Sequence, residues 1–471
     1  MRKLIGLFCA LLLLISPAGT LNAWAAEKDF EELDLKSQTA VLMDLDTGQV
    51  LYNKDMNRRV YPASTTKVLT ALVVLENANP DEIVTVHQTA LEDITWDSSH
   101  IALTDGEQFS VNSGLYALML PSANDAANAL AEHVAGSLEA FAEMLNERIR
   151  DIGALHTHFT NAHGLHDDNH YTTAYDMALI TRAAMQNELF RVYFGAARYT
   201  MPPTNKNEER PFTNYQYQLV KETGYYDPRV VGGKIGYTEE AQHTMTTVAK
   251  QGDRTLICTV MGSPKRGDKF DDTEKLLDFG FGEFSSYSVP WESFSGLQVP
   301  VMDGEQVVGS ATFYADSDVP VLLYKSLSPE DIAIHFPKPQ VFTVDSPMEC
   351  RVTIETPSIS DVIPSVLREI DLVADVNLSV VSAMSQKVED KPSSPFATDN
   401  ETVQKVAISA AGLICLIGLL FAYRQYKIRK KRQARLNRLA QRRREAEQRA
   451  SYQYYTLPSR SSSGTGRTKI S

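Results

Sequence analysis

The hydrophobic pattern of the first 290 residues changes from short strand-like runs to helical stripes and back again. A hairpin is predicted from apolar-rich segments 40–44 and 50–53, which flank the turn residues Asp46, Thr47 and Gly48. An apolar stripe at helical spacing then predicts a helix beginning around Ser64. Further helices are predicted at 113–119, 123–135, 138–152, 173–186 and 272–279. Segments 231–238 and 244–261 are rich in β-branched residues and are interpreted as neighbouring strands. This order indicates an α+β domain whose one antiparallel sheet is assembled from both ends of the segment.

After Pro290 the pattern becomes one of short alternating runs separated by Gly, Pro, Asp and Ser. The runs lie at 297–302, 306–314, 319–324 and 349–355. Alternation of this kind is typical of strands with one buried face. We therefore divide the folded part of the chain into a domain at 27–288 and a small all-β domain at 289–382.

Both ends of the chain have the pattern of targeting segments. Arg2 and Lys3 precede a short apolar run at 4–15 and a small-residue cleavage site at 23–25, which predicts a signal peptide at 1–26. A polar, Pro-bearing linker at 383–404 leads to an apolar stretch at 405–423, long enough for a transmembrane helix.

Charge then fixes the expected orientation in the membrane. The formal net charge is −13, yet the tail at 424–471 carries 15 Lys or Arg against two acidic residues. The positive-inside rule places this basic tail in the cytoplasm and the preceding domains on the extracytoplasmic side of the cell membrane. Such a tail is expected to contact anionic lipid of the cytoplasmic membrane, and no nucleic acid is expected as a partner.

Three short motifs carry the candidate chemistry. Ser64 and Lys67 are three residues apart on a predicted helix, so the lysine amine can take the serine proton if its pKa is lowered. Ser122 and Asn124 follow about 55 residues later on a predicted turn and could relay a proton and hold a carbonyl. Lys234 and Gly236 lie in the predicted strand 231–238, whose open edge can supply backbone N–H groups to a substrate. Each motif alone is better explained as a cap or a surface residue, but their order and spacing favour one site.

The three motifs together resemble those of penicillin-binding proteins and serine β-lactamases. Longer phrases, at 61–67, 118–127, 159–165 and 170–177, are specifically similar to the low-molecular-mass, serine-type D-alanyl-D-alanine carboxypeptidases. The similarity covers roughly residues 35–285. It implies a penicillin-binding/β-lactamase-like catalytic domain with an antiparallel sheet and a helical cluster.

The resemblance also implies a mechanism. Ser64 attacks the carbonyl between two terminal D-alanines of a peptidoglycan stem peptide with Lys67 as base, and Ser122 passes a proton to the departing D-alanine. Asn124 and Lys234 bind the acyl-side amide and the terminal carboxylate, and the N–H groups of Ser64 and Tyr237 form the oxyanion hole. β-Lactam antibiotics would acylate Ser64. Neither a metal nor a cofactor is implied.

Two residues depart from the family pattern. Ile235 stands where relatives usually have a carboxylate-binding Thr, and Lys269 stands where they often have Arg. The substrate-binding candidates are completed by Gly236, Tyr237, Thr238 and Lys269. Thr238 has a hydroxyl, but it lies further along the strand than position 235, where relatives have theirs. Weaker substrate capture is expected, since a hydrogen bond to a charged group contributes about 1.5–3 kcal/mol.

Other functions fit the sequence less well. A class A β-lactamase needs a further Glu, and no Glu-x-x-Leu-Asn segment occurs between 161 and 234. A non-catalytic penicillin-binding or scaffold protein is favoured only by Ile235. Five histidines between 156 and 170 raise a zinc hypothesis, but two of them fall where relatives of the family have loops without metal. No metal site is therefore predicted.

Overall fold

A computed structural model describes residues 32–337, 342–345 and 348–378. The predicted signal peptide, linker, transmembrane segment and basic tail lie outside these residues. Within the described ranges, none of the helices combines the length and the apolar character that crossing a membrane requires.

A five-stranded antiparallel sheet forms the centre of the first domain. Its strands are β1 (Thr39–Asp44), β2 (Val50–Lys54), β7 (Val230–Thr238), β8 (Gln242–Gln251) and β9 (Arg254–Ser263). Their order in the sheet is β2-β1-β9-β8-β7. Strands from both ends of the segment therefore pair, as predicted. The prediction of one strand at 244–261 was wrong, because a turn at Gly252 and Asp253 divides this segment into two paired strands.

The helices lie between β2 and β7 in the chain, and one more follows the sheet. They are α1 (Lys67–Asn77), α2 (Val111–Met119), α3 (Asn124–Ala135), α4 (Leu138–Ile152), α5 (Ala174–Ala184), α6 (Glu188–Phe194) and α7 (Asp268–Glu283). Side-chain caps explain several starts: Ser137 accepts from the N–H of Ala140, and Asn187 accepts from two N–H groups at the start of α6. Helix α6 was not predicted. Helix α7 extends the predicted segment 272–279 by one turn at each end.

The sheet separates two apolar layers. On one face Val41, Met43 and Ile257 pack against α5 and belong to one apolar cluster with residues of α1, α2 and α3. On the other face Leu42, Leu256 and their neighbours pack against α7. Alternate residues of one strand thus enter different layers, as the period of two in a strand requires.

Two minor hairpins complete this domain. They are formed by β3 (Ile83–Thr85) with β4 (Gln108–Ser110) and by β5 (Arg198–Met201) with β6 (Arg210–Thr213). The buried Glu107 carboxylate binds Arg210, and this ion pair joins the two hairpins.

From Phe284 onward the described part of the chain consists of strands and short turns. Its strands are β10 (Phe284–Val289), β11 (Leu297–Asp303), β12 (Gln306–Tyr314), β13 (Val319–Tyr324), β14 (Ala333–His335), β15 (Phe342–Thr343), β16 (Cys350–Glu355) and β17 (Val366–Leu378). Strands β10 and β13 pair, and the others form a sheet of order β14-β16-β17-β12-β11-β15. The four predicted runs are strands, whereas the long strand β17 was not predicted. Gln49 of the first domain exchanges two 2.7 Å hydrogen bonds with the backbone of Leu322.

Candidate active site

Ser64 stands at the junction between the sheet and the helical layer. It lies in a 3-10 turn, Ala63–Thr66, which runs directly into α1 at Lys67. Ser64 and Lys67 are three residues apart in this tight turn, and the Lys67 Nζ lies 2.9 Å from the Ser64 Oγ. The first predicted pair therefore forms a direct contact.

Lys67 is a fully buried lysine whose surroundings favour the neutral amine. Burial, followed by the charge of Lys234, lowers its pKa well below the usual 10.5, and Asp125 opposes the shift. Besides Ser64, its Nζ contacts the Asn124 Oδ1 and the His163 carbonyl, each at 2.7 Å. Both oxygens only accept hydrogen bonds, so they take the two N–H groups of a neutral amine. The remaining lone pair then faces the Ser64 hydroxyl.

Ser122 and Lys234 form a second pair, held between the helical layer and β7. The Lys234 Nζ donates to the Ser122 Oγ at 2.9 Å and to the Ile235 carbonyl at 3.0 Å. Burial lowers the pKa of Lys234 to about 7. Ser122 has a φ of +64°, a strained conformation for a residue with a side chain, which is typical of functional turns.

The edge strand β7 lies directly against the nucleophile. At Gly236 an added Cβ would lie 2.7 Å from the Ser64 nitrogen, so the strand can approach this closely only with glycine. The next residue, Tyr237, has a side chain that is 59% exposed and packs on His243 with ring centroids 4.6 Å apart. This end of β7 is therefore open beside Ser64.

The other substrate-binding candidates are placed less directly. Ile235 is half-buried and packs into the layer between the sheet and α7. The Thr238 hydroxyl accepts from the Ala241 N–H at 3.0 Å. Lys269 is buried, and its Nζ donates to the Arg266 carbonyl at 2.7 Å and lies 4.4 Å from the centre of the Phe270 ring. Burial, followed by the charge of Arg266, lowers its pKa to about 8. The substrate-binding roles of Thr238 and Lys269 stay predictions.

The structure adds a supporting network that sequence reasoning missed. The His163 Nδ1 accepts from the Leu165 N–H at 3.1 Å, so its Nε2 carries the proton and donates to Asp93 at 3.3 Å. That contact holds the pKa of Asp93 below its usual range. The ring is thereby fixed while the His163 carbonyl binds Lys67. The chemical role of a backbone carbonyl leaves no signal in a sequence.

The histidine-rich segment has other partners in the structure. His158 Nδ1 lies 2.7 Å from the Asn169 carbonyl, and His170 lies between Thr66 and Thr160. Among the described residues, no group of three or more His, Cys, Asp or Glu is placed to hold a metal ion.

Comparisons with known proteins identify the family and the fold. Residues 25–265 match the D-alanyl-D-alanine carboxypeptidase family, S11 among peptidases. The chain is 31% identical to D-alanyl-D-alanine carboxypeptidase DacF of Bacillus subtilis, over 65% of this chain and 78% of the relative. It is 34% identical to DacB2 of Mycobacterium tuberculosis, over 53% and 83%. Penicillin binding protein 5 from Haemophilus influenzae has the same fold with a TM-score of 0.59 and 25% identity, over 74% of this chain and 99% of that one. The chain belongs to the D-alanyl-D-alanine carboxypeptidase family of serine peptidases.

Proposed function

We propose that this protein removes the terminal D-alanine from peptidoglycan stem peptides through an acyl-enzyme on Ser64. The observation that carries the proposal is the contact set of the Lys67 amine. Two acceptor oxygens at 2.7 Å and the Ser64 hydroxyl at 2.9 Å leave this buried amine arranged as a base. A scaffold without catalysis would have no need for such an arrangement.

Acylation begins with proton transfer from the Ser64 hydroxyl to the Lys67 amine. The serine oxygen attacks the carbonyl between the two D-alanines and forms a tetrahedral intermediate. Its negative oxygen accepts hydrogen bonds from the N–H groups of Ser64 and Tyr237, which lie where β7 meets the nucleophile. Asn124 Oδ1 is held by Lys67, so its Nδ2 group can donate to the acyl-side amide of the substrate.

Collapse of the intermediate breaks the peptide bond. The departing amine needs a proton, and the Ser122 hydroxyl supplies it. Ser122 recovers a proton from Lys234, whose Nζ lies 2.9 Å away and whose pKa of about 7 allows exchange near neutral pH. The proton that Lys67 took from Ser64 is lost to solvent and Lys234 takes one back, so both amines return to their starting states. Water then attacks the Ser64 ester with the neutral Lys67 as base. Collapse of this second intermediate returns the proton from Lys67 to the Ser64 oxygen and releases the shortened peptide.

The charge of Lys234 has a second use in this proposal. In its protonated form the ammonium beside β7 attracts the terminal carboxylate of the substrate. A β-lactam carries a carboxylate and a strained amide, so it acylates Ser64 by the same route.

The direct test is D-alanine release from a pentapeptide ending in D-Ala-D-Ala, with the full-length protein beside its Ser64→Ala variant. We expect release by the native protein alone. Release by both proteins would remove Ser64 from the mechanism, and release by neither folded protein would contradict the carboxypeptidase activity on this substrate.

We also propose that the catalytic domain lies outside the cytoplasmic membrane, anchored by segment 405–423. The support is the apolar length of that segment and the basic tail that follows it. A fluorescent protein fused after residue 471 should fluoresce, because the tail faces the cytoplasm. Activity of alkaline phosphatase fused at the same place would contradict this orientation.

A further inference from the structure

A buried histidine that the mechanism does not use lies behind the nucleophile turn. The His170 Nε2 lies 2.8 Å from the Thr66 Oγ1, which lies 2.8 Å from the Ala63 carbonyl. The imidazole is 1% exposed and is stacked on Phe159, with ring centroids 4.6 Å apart and planes 4° apart. Three polar groups thus form a continuous hydrogen-bonded chain that ends one residue before Ser64.

The neighbouring groups define the direction of each hydrogen bond in this chain. The Thr160 N–H donates to the His170 Nδ1 at 3.0 Å, so that nitrogen carries no proton and the Nε2 does. Burial lowers the pKa of His170 to about 3, so the ring stays neutral in neutral solution. The Nε2–H therefore donates to the Thr66 hydroxyl. The one hydroxyl hydrogen of Thr66 then donates to the Ala63 carbonyl.

The carbonyl at the end of the chain shares a peptide unit with the Ser64 N–H. A peptide unit is planar, so fixing the direction of its oxygen fixes the direction of its N–H as well. The backbone here is strained: Ala63 has a φ of +49°. An unsupported peptide unit in this conformation could rotate and turn the N–H away from the site.

Two glycines enclose the same peptide unit. Gly164 has a φ of +88°, and a Cβ there would overlap the Ala63 carbonyl. On the other side, a Cβ at Gly236 would lie 2.7 Å from the Ser64 nitrogen. Contact from both sides limits translation of the peptide unit, while the hydrogen bond from Thr66 limits its rotation.

We infer that His170 and Thr66 are positioning residues that direct the Ser64 N–H toward the oxyanion. Neither residue touches the substrate. His170 orients the Thr66 hydroxyl, and this hydroxyl holds the Ala63 carbonyl. The inference rests on the proposed function, because it assigns the support of the oxyanion donor in that mechanism.

The test separates covalent chemistry from binding. The full-length protein is compared with Thr66→Val and His170→Phe, which remove the hydrogen bonds, and with Thr66→Ser and His170→Gln, which keep a donor. Acylation by benzylpenicillin is resolved into a non-covalent dissociation constant and a first-order rate constant. A boronic acid whose tetrahedral adduct places an oxygen in the oxyanion hole supplies a second measurement.

We expect Thr66→Val and His170→Phe each to lower the acylation rate constant about tenfold, less than the 10²–10³ lost with a complete oxyanion donor. Boronate affinity should fall by the same factor, and the non-covalent dissociation constant for benzylpenicillin should not change. The conservative variants should recover most of the rate. The double variant should lose no more than either single variant, since both act through one hydrogen bond.

Thr70→Val is the matched control, because Thr70 is a buried threonine one turn later in α1 whose hydroxyl donates to the Ala162 carbonyl at 2.6 Å. Wild-type rates in Thr66→Val and His170→Phe would overturn the inference. So would equal losses in Thr70→Val, or a parallel loss of non-covalent binding. If the Val and Phe variants fail to fold, Thr66→Ser and His170→Gln carry the test, and a tenfold or larger loss of the acylation rate constant in either variant, although it keeps the donor, would overturn the inference. Failure of the wild-type protein to be acylated would instead refute the proposed function.

Discussion

The buried charge of Lys234 should make the native protein less stable than a variant without it at neutral pH. Lys234 is 1% exposed, and burial lowers its pKa from 10.5 to about 7. Between these two pH values the unfolded chain binds a proton that the folded chain has released. Stability therefore rises as the pH increases from about 7 to 10.5, and the full cost is present below pH 7.

The size of the effect follows from the two pKa values. Their difference, 10.5 minus about 7, lowers the free energy of unfolding by about 5 kcal/mol at low pH, where the lysine is protonated in both states. At pH 7 the lysine of the folded chain is half protonated, so its burial lowers the free energy of unfolding by about 4 kcal/mol. Replacing Lys234 with Met also removes two hydrogen bonds, to Ser122 and to the Ile235 carbonyl, which contribute about 1 kcal/mol each. Lys234→Met should therefore raise the free energy of unfolding by about 2 kcal/mol at pH 7 and lower it by about 1 kcal/mol at pH 10.

Urea unfolding of both proteins at pH 7 and pH 10, followed by circular dichroism, measures this difference. Lys250→Met, at an exposed position on the adjacent strand β8, controls for the loss of one lysine. Lys234→Met should also lose most of its carboxypeptidase activity, because Ser122 loses its proton donor. A Lys234→Met variant that is less stable than the native protein at pH 7, or a stability difference that does not change with pH, would refute the reasoning.

Three further substitutions and one pH profile test the site. Lys67→Met should lower the rate of acylation by a fluorescent penicillin at least about 10³-fold, because the base is lost; a loss below tenfold would contradict this role. Gly236→Ala should lower the same rate about 100-fold, because its Cβ would lie 2.7 Å from the nitrogen of an oxyanion donor, and a rate within threefold of wild type would be inconsistent with that contact. Ile235→Thr should lower KM for the pentapeptide about tenfold by adding a carboxylate donor, so an unchanged KM would argue against the missing hydroxyl as the cause of weak capture. The value of kcat/KM should rise with pH as the Lys67 amine loses its proton. It should fall above about pH 7 as Lys234 loses its own proton. A kcat/KM that does not change from about pH 5 to pH 9 would exclude both assignments.

The sequence predicts the parts of the site that depend on side-chain identity and regular spacing. Ser64 and Lys67 could be paired because residues three apart share one side of a helix or tight turn. Ser122, Asn124 and Lys234 could be added because their motifs fall in a recognisable order. The structure joins these five residues in two hydrogen-bonded sets. Lys67 contacts Ser64 at 2.9 Å and Asn124 at 2.7 Å, and Lys234 contacts Ser122 at 2.9 Å.

What could not be predicted depends on backbone groups and on long-range contacts. The His163 carbonyl and the strained backbone at Ser122 and Ala63 are set by tertiary packing, which residue identity does not encode locally. Strand β17 was missed because of its composition and its long-range pairing. Its alternation is obscured because it carries charged residues and pairs with β12 and β16 along different parts of its length.

The most direct test of the central claim is intact-protein mass spectrometry after brief exposure to benzylpenicillin, followed by peptide mapping. The account predicts one penicilloyl group per chain, located on the peptide that contains Ser64 and absent from the Ser64→Ala variant. A folded native protein that gains no adduct, or one that carries the adduct on another residue, would contradict Ser64 as the acylated nucleophile.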